Sequence, residues 1–280
     1  MIAVLGAGGQ LGTAFVRLLG DRAVGITRSE LDITRPELIS RAVSDLRPKT
    51  IINCAAYTAV DRAEVEAAEA RLLNATAVGH LATAAAEAGA HFVTFSTDYV
   101  FAGTATQPYV ESDQTDPINV YGATKLEGEA LALTAHPHAL VVRTSWLLSG
   151  THPNFITTIL KLVQEGSVKV VDDQWGNPTF VADLARATMA AVNQEANGVL
   201  HLTNTGPTTW YRLARRAVEV AGLNPDRINA CTTAEYPRPA RRPAYSVLGS
   251  ERLMGLGLDL LPSWDHSIVA AIDELSRHST

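Results

Sequence analysis

Thiols are almost absent from this chain. Cys54 and Cys231 are the only cysteines in 280 residues, too few for a disulfide framework and at no metal-ligand spacing. Cys54 lies inside the apolar stretch 50–56 and reads as a small buried hydrophobe. Positive charge is short as well. With 23 Lys and Arg against 29 Asp and Glu the net charge is -6, which leaves no basic excess for a nucleic-acid backbone. No apolar run reaches membrane-spanning length. Met1-Ile2-Ala3-Val4-Leu5 runs into a glycine turn without a basic segment or cleavage site, so no secretory leader is expected and the chain reads as cytoplasmic. Repeats and low-complexity tracts are missing too. What remains is 46% apolar and 19% charged residues, enough to bury a core and unlike a disordered composition.

The order of elements begins with a nucleotide-binding signal. The apolar run Ile2 to Leu5 meets Gly6-Ala7-Gly8-Gly9-Gln10-Leu11-Gly12, followed by a helical pattern through Leu11, Phe15, Leu18 and Leu19. A Gly-x-Gly-x-x-Gly fingerprint needs glycine at position 11, where Leu11 stands. The spacing present is Gly6-x-x-Gly9-x-x-Gly12. Its physics is the same: glycines let the backbone approach a pyrophosphate, which rests on a helix N-terminus. The alternative is an ordinary tight turn. Val24 to Thr27 reads as the second strand, and its C-terminal end carries Arg28. An arginine there accommodates a ribose 2′-phosphate, whereas an acidic residue would select the free hydroxyl. Asp32, about twenty residues past the turn, stands where the general rule expects that carboxylate. Strands alternate with helices from here on, so the expected fold class is α/β with a doubly wound parallel sheet.

The chemistry concentrates between Ser96 and Lys125. The run His91 to Phe95 reads as a buried strand, which puts Thr97 at a strand's C-terminal end, the edge where open α/β sheets bind ligands. Tyr121 and Lys125 are four apart at the start of a helical pattern and share one face. A phenol has a reference pKa of about 10. A neighbouring ammonium favours the phenolate and lowers that value, bringing the tyrosine into range as a general acid.

A threonine with Tyr-x-x-x-Lys resembles the catalytic set of the short-chain dehydrogenase/reductases. Ser-Thr-Asp-Tyr-Val-Phe at 96–101 with Asn-Val-Tyr-Gly-Ala-Thr-Lys at 119–125 is similar, more narrowly, to the dTDP-4-dehydrorhamnose reductase family. The resemblance runs over nearly the whole chain. It implies a Rossmann-type sheet with a small C-terminal substrate-binding cap, residues 1–150 mainly holding the dinucleotide and 151–280 mainly the sugar nucleotide. Segments near 168–205 would return to the first part. It implies NADPH, with NADH left open, and a dTDP-linked 4-keto-6-deoxy sugar as substrate. Thr97, Tyr121 and Lys125 become catalytic, Lys125 also holding the ribose and depressing the pKa of Tyr121. Gly6, Gly9, Gln10, Leu11, Gly12 and Arg28 bind the cofactor, with Arg28 as the 2′-phosphate contact or, alternatively, a solvated side chain.

The same register moves Asp32, with Ile33, from the ribose to the adenine. It puts Ala55, Ala56 and Tyr57 on the nicotinamide side, and Thr58 and Val60 toward the sugar nucleotide together with Asp98, Tyr99 and Trp146. Trp146 keeps a core position as its alternative. Asn74 reads as structural. Arg241 and Arg242, in a Pro-Ala-Arg-Arg-Pro run, suit a diphosphate or stand in a solvated turn. A superfamily epimerase and a non-catalytic regulatory subunit are the rival readings; the reductase-type motif set and the intact Thr97, Tyr121 and Lys125 count against them. Some family members place glutamates around magnesium at positions aligned with Ala14, Ala182 and Glu274. Alanine offers a hard cation no ligand, so no metal site is expected, and the protein is expected to be a monomer or a metal-independent homodimer.

Overall fold

The structure, a computed structural model, describes residues 1–278. Six parallel strands form its central sheet: β1 (Ile2–Leu5), β2 (Ala23–Ile26), β3 (Thr50–Asn53), β4 (His91–Thr97), β5 (Leu140–Thr144) and β6 (Gly198–His201). Their order across the sheet is β6-β5-β4-β3-β1-β2. The chain winds one way from β1 to β2 and the other way from β3 onward. The crevice at the carboxyl ends of β1 and β3 is therefore the switch point where such sheets bind ligands.

The long helices are α1 (Gln10–Leu19), α2 (Pro36–Leu46), α3 (Ala77–Glu87), α4 (Val120–Ala135), α5 (Phe155–Glu165), α6 (Val181–Asn193), α7 (Trp210–Val220) and α8 (Trp264–His278). Alternation along the strands sorts the core into two layers. Ala3, Leu5, Ile51, Phe92 and Val141 face α2 and α3, packing on Ile39, Leu81 and Ala85. Their neighbours Val4, Ile52, Val93, Leu140 and Val142 face α1 and α6, packing on Phe15 and Leu184. Both faces of the sheet are covered, which is why its strands carry unbroken apolar runs. A third apolar cluster joins α5, α7 and α8 through Ile156, Leu213 and Ile268. Among the described residues no helix is long and apolar enough to cross a membrane.

The residue pattern alone carries strands over 50–56 and 139–146 and a helical region from Asp61 to Ala88, and the structure differs at each. β3 ends at Asn53 rather than continuing through 56, because the Asn53 side chain accepts the Ala55 amide at 3.2 Å and bends the chain out of the sheet. The helical region expected from Asp61 to Ala88 is interrupted at 64–66, and its second part carries a π-helical turn at Leu72–Thr76. Asn74 inside that turn accepts from the Tyr57 amide (2.9 Å) and donates to the Tyr57 carbonyl (3.0 Å) and Thr124 (3.1 Å), so a widened turn ties helix to sheet edge. β5 stops at Thr144, and Trp146 beyond it adopts a φ of 46°.

Candidate active site

Two glycines set the nucleotide cradle. Gly6 leaves β1 with φ 72°, and a Cβ there would stand 2.8 Å from the Ala55 amide nitrogen, so the switch-point crevice closes only around glycine. A Cβ on Gly12 would lie 2.2 Å from the Gly6 carbonyl oxygen, inside the turn itself. Gly9 caps α1 without any side-chain hydrogen bond, which leaves the first-turn amides for an anion. A cavity of about 230 Å³ lies beside this turn, lined by Gly6, Arg28, Asp32, Ile33, Ala55 and Ala56. Arg28 is exposed at its rim. Asp32 accepts from the Thr34 amide (3.0 Å) and hydroxyl (2.7 Å), bonds that hold its carboxyl below the usual range, with Arg28 and Arg35 adding to the effect.

A larger cavity of about 500 Å³ continues along the same edge, sharing Gly9, Cys54, Ala55 and Ala56 with the first. Cys54, half-buried, packs against the core and also lines both cavities; its thiol is pushed up by burial. Gln10 and Leu11 line the larger cavity, as do Thr58 and Val60. Thr97, Asp98, Tyr99, Tyr121 and Lys125 form its central wall.

That wall is assembled by close helix packing. Asn119 caps α4, its side chain accepting the Gly122 amide at 2.8 Å. A Cβ on Gly122 would meet the Tyr99 carbonyl at 2.1 Å, and one on Gly128 the Asn74 carbonyl at 2.0 Å. These two glycines let α4 lie against the end of β4 and bring Tyr121 to Thr97. The Thr97 hydroxyl accepts from the Tyr99 amide (3.1 Å) and donates to Asp98 Oδ1 (2.9 Å). Ser246, from the C-terminal part of the chain, donates to Asp98 Oδ2 at 2.5 Å. Tyr99 meets Tyr121 edge-on at 6.0 Å.

The electrostatics differ from expectation in one respect. Tyr121 is pushed well above the usual phenol range by burial first and the Asp98 charge second, with a Thr97 hydrogen bond pulling the other way. Desolvating a phenolate outweighs any help from Lys125, which is itself buried and pushed down to about 8, Glu129 opposing that shift. Asp98 is pushed up to about 6 by burial against hydrogen bonds from Ser246 and Thr97. The phenol is therefore protonated at neutral pH. Behind α4, Glu129 takes two hydrogen bonds from Arg143 (2.9 and 2.7 Å) and one from Ser96, a buried network under the catalytic turn.

Trp146 forms the opposite wall, stacked on Trp210 at 3.6 Å with planes 12° apart. A Cβ on Gly176 would strike the Trp146 ring at 2.6 Å, so a glycine is needed beneath it. Four expected residues line neither cavity: Gly12, buried inside the turn, and Tyr57, Arg241 and Arg242. The backbone of Tyr57 is held by Asn74 and its phenol bonds Glu66. Arg241 is exposed, its carbonyl accepting from Asn119 (2.9 Å), and Arg242 bonds Asp61 and the Ala240 carbonyl (2.6 Å). Arg238 shares Asp61 at 2.6 Å, so this carboxylate pairs with Arg238 and Arg242. Trp210, Ser246 and Phe155 also shape the site. No local pattern marks Ser246, while Trp210 follows a Thr-Thr helix start that signals only a cap.

The RmlD substrate binding domain family model matches residues 1–277 of this chain. A dTDP-4-dehydrorhamnose reductase of Burkholderia thailandensis is 40% identical over 294 residues, covering 98% of this chain and 98% of that protein. The chain belongs to the dTDP-4-dehydrorhamnose reductase family. A probable dTDP-4,6-dihydroxy-2-methyloxan-3-one 4-ketoreductase of Streptomyces antibioticus is 41% identical over 97% of this chain and 94% of its own length. The structure of a dTDP-4-dehydrorhamnose reductase of Bacillus anthracis in complex with NADP superposes with a TM-score of 0.94, at 35% identity and 98% coverage of each chain. At the positions that the resemblance aligned with glutamates, Ala14 and Ala182 carry no carboxylate, and Glu274 accepts from Arg17 at 2.6 Å. Among the described residues no group of three or more His, Cys, Asp or Glu could hold a metal ion.

Proposed function

We propose that this chain reduces the 4-keto group of a dTDP-linked 4-keto-6-deoxyhexose with NADPH, in the cytoplasm, as a monomer or a metal-independent dimer. The observation that carries the reading is the meeting of Thr97, Tyr121 and Lys125 in a cavity continuous with the glycine cradle. Residues up to about 150 serve mainly the dinucleotide in this reading, and later segments mainly the sugar nucleotide.

The residues present fit the cofactor: a turn that admits only glycine, uncapped amides at α1, and an arginine at the adenosine end. When bound, NADPH supplies the hydride that reduces the carbonyl carbon. Tyr121 holds the ketone oxygen by a hydrogen bond and delivers its phenolic proton there as negative charge develops, and Thr97 joins it by turning its single proton from Asp98 Oδ1 to the ketone. Asp98 and Ser246 hold the Thr97 hydroxyl in place. Lys125 keeps an ammonium near the phenol below a pH of about 8. Trp146, stacked on Trp210, excludes water from the far side.

NADPH oxidation by a dTDP-4-keto-6-deoxy sugar, with the product identified by mass and NMR, tests the proposal. Absence of turnover with every such sugar would refute it; interconversion of sugars without net NADPH consumption would mark an epimerase. Cofactor choice gives a sharper test. Arg28→Ala is expected to weaken NADPH by at least about tenfold, the size of a charge-assisted contact, while NADH affinity changes little. An equal loss for both cofactors would remove Arg28 from the 2′-phosphate.

A further inference from the structure

The hydroxyl of Thr144 has no hydrogen-bond partner among the described residues, although Thr144 is only 4% exposed. It lines the larger cavity at the carboxyl end of β5, paired in register with Thr97 on β4. The hydroxyls around it are engaged: Thr97 donates to Asp98, and Ser145 donates to the Asn177 carbonyl at 2.6 Å. A buried hydroxyl left unpaired costs free energy, and such groups in native proteins are ordinarily satisfied by water or ligand. Thr144 therefore carries an open polar valence toward the site.

Resting on the function proposed above, we infer that the Thr144 hydroxyl is a hydrogen-bond partner of the nicotinamide carboxamide. The position along the sheet selects this group. The adenosine end lies at Arg28 beside β2, and the cradle passes the ends of β1 and β3. A dinucleotide extended along this edge brings its nicotinamide end to β4 and β5. Thr58, Val60 and Tyr99, the residues read as facing the sugar nucleotide, follow β3 and β4 instead. A carboxamide offers both a donor and an acceptor, and a threonine hydroxyl matches either.

Thr144→Val keeps the shape of the side chain and removes the hydroxyl. NADPH binding, followed by fluorescence titration, is expected to weaken about three- to tenfold, the usual range for one neutral hydrogen bond. Binding of 2′-phospho-ADP-ribose, which lacks the nicotinamide, should stay unchanged. Thr144→Ser should restore NADPH affinity. The thermal midpoint of the valine variant should be no lower than that of the wild type, because an unpaired buried hydroxyl is lost. Unchanged NADPH affinity would overturn the inference, as would an equal loss for both ligands. An effect confined to the KM of the keto sugar would overturn it too, assigning the hydroxyl to the substrate. Wild-type protein that binds no NADPH would instead overturn the function proposed above, and this inference with it.

Discussion

Tyr121→Phe leaves NADPH binding intact and lowers turnover by about two to four orders of magnitude, the range for losing a positioned proton donor. The ring survives the change, so its edge-on packing with Tyr99 at 6.0 Å and the cap by Asn119 are kept. Only the proton is gone. Burial and the Asp98 charge hold the Tyr121 phenol above its ordinary pKa, so wild-type protein carries that proton throughout the neutral range. Ionisation of Tyr121 should consequently leave no inflection below a pH of about 9, close to the reference phenol value of about 10. Stopped-flow hydride transfer together with NADPH titration checks both halves. Activity within a few-fold of wild type would remove Tyr121 from the proton-donor role.

Lys125→Met is expected to do two opposed things. Turnover falls by about two orders of magnitude or more, because a preorganised charge beside the reacting oxygen is lost. Stability at neutral pH rises. The folded-state pKa of Lys125 lies at about 8, below the ordinary lysine value of 10.5, with burial as the leading cause. Below a pH of about 8 the folded protein bears the full penalty of a desolvated ammonium, and the penalty fades as pH rises toward 10.5, where the unfolded chain also loses its proton. At about 1.4 kcal/mol per unit the penalty is on the order of 3 kcal/mol. The methionine variant should therefore unfold at higher denaturant than wild type at pH 7, with the difference closing above pH about 10.5. In wild type, kcat/KM should decline above a pH of about 8 as the ammonium discharges, and the variant's profile should be flat there. A variant less stable than wild type at pH 7 would contradict the burial argument. An unchanged rate would contradict the catalytic one.

The elements readable from the residues were those whose geometry is local. The glycine spacing from Gly6 to Gly12 after an apolar run specified strand, turn and helix, and Thr97 at the end of another such run fell on the ligand-binding edge. Tyr121 and Lys125 share a helix face because four residues make about one turn, whatever the rest of the chain does. Asn119 and Asn154 start their helices by the same kind of local bonding. Apolar runs in β1, β3 and β4, in place of apolar–polar alternation, go with a sheet buried on both faces.

What those residues meet was decided by how the chain returns on itself. Ser246 reaches Asp98 across 148 positions, and Trp210 stacks on Trp146 from a separate helix. Neither partner leaves a periodic trace, because such contacts depend on loop paths and packing rather than on spacing. The resemblance made Tyr57 a cofactor residue; that Asn74, from a widened helical turn, holds its backbone and Glu66 takes its phenol was decided by the fold. The pKa values belong to the same category. A sequence shows an ammonium one turn from a phenol, and Coulomb attraction between them follows. The cost of stripping water from each is a property of the folded interior, and at Tyr121 that cost is the larger force.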